Sequence, residues 1–66
     1  MDIKVLENIA REIGEDVANT GKVFEPSRFS CYSCWSDCIG GLGYPVAIEM
    51  AREGFREATI RREIQG

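Results

Sequence analysis

The sequence predicts a mainly α fold in which two amphipathic helices flank an irregular insert rich in cysteine and aromatic residues. Apolar residues follow helical spacing before residue 19 and again after residue 45, and between these stretches the periodicity is lost. At 66 residues the chain has room for one domain, residues 1–66. A domain this small buries only about 60% of the surface its unfolded chain exposes, so its margin of stability is thin.

The first helix is drawn from residues 2–18. Leu6, Ile9, Ile13 and Val17 step along one face, with Ile3, Val5 and Ala10 beside them. Asp2 suits the N-cap, and Asn19-Thr20-Gly21 supplies residues that tolerate a left-handed stop. Gly14 weakens such a helix by about 1 kcal/mol relative to alanine, which marks either an early end or a close packing contact.

The insert runs from Lys22 to Tyr44, punctuated by Pro26, Gly40, Gly41, Gly43 and four serines. Two pieces of it read as extended. These are Lys22 to Phe24, and Phe29 to Trp35, where Phe29, Cys31, Ser33 and Trp35 alternate with Ser30, Tyr32, Cys34 and Ser36. A loop of about 20 residues inside a small domain is unusual without a role or ligand to organise it, which directs attention here for function.

The second helix begins at Pro45, a residue suited to a first helical position. Val46, Ala47, Met50, Ala51, Gly54, Phe55 and Ala58 form its apolar arc. Glu49 with Arg52, Glu53 with Arg56 and Glu57 with Arg61 form candidate ion pairs on a solvated face. If Gly54 is a packing position, the helix continues to about Ile64. If it ends the helix, residues 57–64 form a closing strand and the fold is a small α+β domain. The dominance of Arg and Glu after Gly54 favours the helix.

Charge excludes some functions. The net charge is −3, and six acids face three bases in the first 25 residues. Arg52, Arg56, Arg61 and Arg62 are interleaved with Glu49, Glu53, Glu57 and Glu63, which cancels the field that nucleic-acid binding requires. No apolar run approaches the ~20 residues that span a bilayer, and no signal peptide is evident, so the expected location is cytoplasmic, with no membrane partner. Histidine is absent, which removes the usual general base, and no enzymatic activity is expected.

The strongest local feature is Cys31-Tyr-Ser-Cys34-Trp-Ser-Asp-Cys38, a C-x2-C-x3-C cluster. It supports three readings. Cys31, Cys34 and Cys38 can ligate zinc or three irons of an Fe-S cluster, with Asp37, Glu25, water or a cysteine of a second subunit completing a zinc site. Cys31 and Cys34 can instead form a redox dithiol with Cys38 as the resolving thiol. In the third reading the cysteines are simply small buried hydrophobes. The stretch Gly40-Gly41-Leu42-Gly43-Tyr44 lacks the Lys-Ser/Thr ending of a P-loop and reads as a flexible connector. Were it tightly folded, Cys38 would lie near a helix start, where the dipole favours a thiolate.

Five of the six aromatic residues fall between Phe24 and Tyr44. Tyrosine and tryptophan are enriched at binding hot spots, which makes Phe29, Tyr32, Trp35 and Tyr44 the candidate partner-binding residues. The function expected from the sequence is therefore a small non-enzymatic accessory or regulatory protein. It would bind a protein partner, or a second copy as a homodimer, through residues 22–44 and an adjoining helix face. Its size suits a bacterial or phage inhibitor or adaptor. A metal or Fe-S module and a small thiol redox protein are the alternatives.

Overall fold

The computed structural model describes residues 2–65. Helix α1 spans Ile3–Asn19, a 3-10 helix spans Pro26–Cys31, α2 spans Trp35–Leu42 and α3 spans Tyr44–Gln65. The fold is mainly α, and among the described residues no strand forms. The closing-strand alternative is thus set aside, and α3 runs through Gly54 without a break.

Helix α1 starts where the side chain of Asp2 accepts the Lys4 amide at 3.2 Å. It ends in a Schellman motif. Gly21 takes φ of 74°, the Lys22 amide donates to the Val17 carbonyl and the Gly21 amide to the Ala18 carbonyl, both at 3.1 Å. Arg62 of α3 donates from Nη1 to the same Ala18 carbonyl. A cation is thereby placed at the negative end of the α1 dipole.

The central contact is between α1 and α3. A Cβ at Gly14 would collide with the Ala51 carbonyl oxygen, and one at Gly54 would collide with the Arg11 carbonyl oxygen. Ala10, Ala47, Ala51 and Ala58 are buried around them. Two backbones touch directly only where side chains are this small. Gly54 lies against Arg11, the Phe55 amide near Gly14 and Arg62 against Ala18. At the ends, Leu6 lies against Gly41 just ahead of α3, and Ala18 receives Arg62 near the end of α3, so α1 and α3 run parallel.

The segment between them differs from the sequence expectation. Phe29 to Trp35 is not extended: Phe29 and Cys31 lie in the 3-10 helix, and Trp35 opens α2. Gly40 and Gly41 are helical residues of α2, and the connector to α3 is Gly43 alone, with φ of 86°. Its carbonyl accepts the Ala47 amide at 3.0 Å, so one residue closes α2 and opens α3. Cys38 of α2 lies at Leu6, while Tyr32, ahead of α2, reaches Asp16. Helix α2 is therefore antiparallel to α1.

A small-residue interface leaves volume to be filled on one side of the pair, and aromatic side chains fill it. Phe24 packs edge-on against Phe55 at 5.4 Å and Phe29 at 5.3 Å, and Phe29 packs edge-on against Trp35 at 5.0 Å. The Arg52 guanidinium stands 5.7 Å from the Phe24 ring centre. The ion pairs expected within α3 are not the ones found: Glu53 pairs with Arg11 of α1 at 3.7 Å, and Arg28 pairs with Glu25 at 2.8 Å.

Glycine substitutions test this packing, because two sites in the same protein should respond with opposite sign. Gly40 has nothing within 4 Å of a built Cβ, so Gly40→Ala is expected to stabilise the protein by roughly 0.5 to 1 kcal/mol through helix propensity. Gly14→Ala gains the same propensity but must push two backbones apart, and is expected to destabilise by about 2 kcal/mol or more. Urea denaturation followed by circular dichroism measures both. An unchanged or raised midpoint for Gly14→Ala would refute the contact.

Candidate functional site

The four aromatic residues singled out in the sequence separate into different environments. Phe29 is 2% exposed and Trp35 4% exposed, so both belong to the core and neither offers a surface to a partner. Their burial corrects the expectation of an aromatic anchor patch. Tyr44 is exposed, but it begins α3 at the Leu6 end of α1, remote from Tyr32 at the Asp16 end. Tyr32 alone combines partial exposure with a fixed position.

What fixes Tyr32 is its phenol, which donates to the Asp16 carboxylate at 2.7 Å. The residue sits in the turn between the 3-10 helix and α2, where its own amide donates to Phe29 and its carbonyl accepts the Trp35 amide. The hydrogen bond to Asp16 is the main cause holding the phenol protonated, with its pKa pushed up to about 12. Burial and the Asp16 charge act in the same direction.

An open groove lies on each side of Tyr32. One, of about 370 Å3, runs between α1 and the turn, with Ile9 and Ile13 forming its apolar part and Glu12, Asp16, Ser33 and Cys34 completing it. The other, of about 540 Å3, is lined by Val17, Lys22, Val23, Arg28 and Cys31, among others. The first joins the insert to a helix face. The sequence pointed to that junction only in outline, and the α1 residues Ile9, Glu12, Ile13 and Asp16 were not recognised as part of a site. Their signal was the i, i+4 placement of Ile9 with Ile13 and Glu12 with Asp16, which sets an apolar row beside an acidic row.

The cysteines diverge. Cys31 and Cys34 are exposed but line different grooves, with Tyr32 lining both. The Cys31 thiol donates to the Arg28 carbonyl at 3.4 Å. Cys38 is buried and donates to the Leu6 carbonyl at 3.5 Å. Burial raises the Cys38 thiol pKa, with Cys34 and Asp37 adding to the effect, and this outweighs a backbone hydrogen bond that favours the thiolate. Among the described residues no three Cys, Asp or Glu side chains converge on a point where a metal ion would sit. Of the three sequence readings, that of a small buried hydrophobe describes Cys38, and the arrangement lends the zinc, Fe-S and dithiol readings no support.

No described helix is long and apolar enough to cross a membrane.

Two substitutions follow from this geometry. Trp35→Ala is expected to cost about 3 to 5 kcal/mol, enough to unfold much of so small a domain, as read by loss of helical circular dichroism. A folded Trp35→Ala variant would refute the core placement. Tyr32→Phe removes one hydrogen bond and is expected to cost about 1 kcal/mol at pH 7. An unfolded tyrosine ionises near pH 10, whereas the folded protein holds this proton to about 12. The Tyr32 contribution is therefore whole below pH 10 and is lost as pH rises through 12. The stability difference between wild type and Tyr32→Phe should shrink over that interval in denaturation curves; a constant difference would argue against the pairing with Asp16.

The chain matches no protein-family model, no curated protein and no solved structure, so any function must be argued from this geometry.

Proposed function

We propose that the protein is a small non-enzymatic accessory or regulatory protein that binds a protein partner through the groove between α1 and the Tyr32–Cys34 turn. One observation carries this reading: the groove sets half-buried Ile9, with the buried Ile13 at its base, beside the exposed carboxylates of Glu12 and Asp16. Asp16 is already held by the Tyr32 phenol, so its orientation costs little further entropy on binding. Such a surface suits a partner segment that inserts one large apolar side chain and sets a lysine or arginine beside it. The mechanism is steric occupation of the segment that supplies those groups.

Selection of a random displayed-peptide library on the folded protein tests the reading. Peptides with a large apolar residue next to Lys or Arg are expected to be enriched. Glu12 is exposed and supports no described hydrogen bond or ion pair. Glu12→Lys should therefore leave the fold unchanged and shift enrichment away from basic peptides. Equal enrichment on both proteins, or none on either, would overturn the proposal.

A further inference from the structure

Helix α3 carries two seams. The inner one is Ala47, Ala51, Gly54 and Ala58, which is buried and part of which meets α1. One residue earlier at each step lies a second series, Val46, Met50, Glu53, Glu57, Ile60 and Ile64. Its steps alternate between four and three residues, the spacing that keeps one face of a helix toward a partner helix. It stands about 100° around α3 from the inner seam. Val46 is 41%, Ile60 47% and Ile64 79% exposed, and Met50 is half-buried. This outer seam is apolar at both ends and acidic at its centre, where Glu53 and Glu57 are both exposed.

The charges decide what can cover it. A second copy laid antiparallel would match Val46 with Ile64 and Met50 with Ile60, but would set Glu53 against Glu57 twice. A parallel copy would set each glutamate against itself. Like charges brought together in a desolvating seam are costly unless neutralised. Arg11 approaches Glu53 at 3.7 Å, whereas Glu57 has no cation within 4 Å among the described residues.

We infer that the outer seam of α3 docks one amphipathic helix of a second protein partner, whose own seam is apolar at its ends and carries Lys or Arg at its centre. The surface is separate from the α1 groove, so the protein would join two partners, as an adaptor does.

The test uses the folded 66-residue chain and two labelled synthetic helical peptides. Both carry Leu at the outer seam positions; one has Lys and the other Glu at the two central positions. Fluorescence anisotropy at neutral pH and moderate salt is expected to show the Lys peptide binding at least about tenfold more tightly. Glu57→Lys, and Glu53→Lys with Glu57→Lys, should remove and then reverse that preference, and Ile60→Asp should weaken both peptides. Circular dichroism verifies that each variant is folded. Glu12→Lys, in the α1 groove, should leave the preference intact, which separates this inference from the groove reading. Equal binding of the two peptides, a preference untouched by the Glu57 variants, or a dimer in sedimentation that Ile60→Asp dissolves would each overturn it.

Discussion

The direct backbone contact between α1 and α3, made possible by Gly14 and Gly54, is the constraint on which the rest of the structure depends. Because the helices run parallel, the chain leaving α1 must return along its whole length before α3 can begin. The 17 residues of α1 rise about 26 Å. The six residues of the 3-10 helix and the eight of α2 rise about 12 Å each, and together can span that distance. The long middle segment is thus required by the parallel pairing, whatever it binds. A large share of the aromatic content also follows from it: a seam of alanine and glycine buries little area, so Phe24, Phe29, Trp35 and Phe55 supply the volume that a small core needs.

Much of this was legible in the sequence. The apolar steps from Leu6 to Val17, the Asp2 cap and the Gly21 stop each encode a local feature of α1, and each depends only on neighbouring residues. Gly54 was recognisable as a packing position because strong helix formers continue beyond it. The middle segment was less legible for a physical reason. Trp35, Cys38, Ile39 and Leu42 have helical spacing, but two glycines lower the propensity of a helix only two turns long, and tertiary packing supplies the difference. The alternation of Phe29, Cys31, Ser33 and Trp35 suggested a strand, whereas a 3-10 helix ending in a turn brings Phe29 against both Tyr32 and Trp35.

The site was only half visible, because exposure is a global property. Nothing local to Trp35 says that it points inward, and nothing local to Ile9 says that the insert stops short of covering it. The cysteine spacing was informative about proximity along the chain but not about direction. A turn at Tyr32 sends Cys31 and Cys34 into separate grooves, and the register of α2 carries Cys38 into the core. Charge was read more securely, since solvated acids remain solvated: Glu12, Glu53 and Glu57 all stand at the surface.

The parallel arrangement also bears on how the protein reaches its native state. Gly14 and Ala51, which meet at the central seam, are 37 positions apart in the chain (51 − 14), so that seam cannot assemble from sequence neighbours. Most small helical proteins fold fast because their helices pair in order with the next one along. Here the dominant pairing skips a helix, and the entropy of closing the intervening loop must be met before the seam rewards it. The protein is therefore a helical fold whose main seam is non-local, and its topology predicts slower folding than that of a bundle built from successive helix pairs.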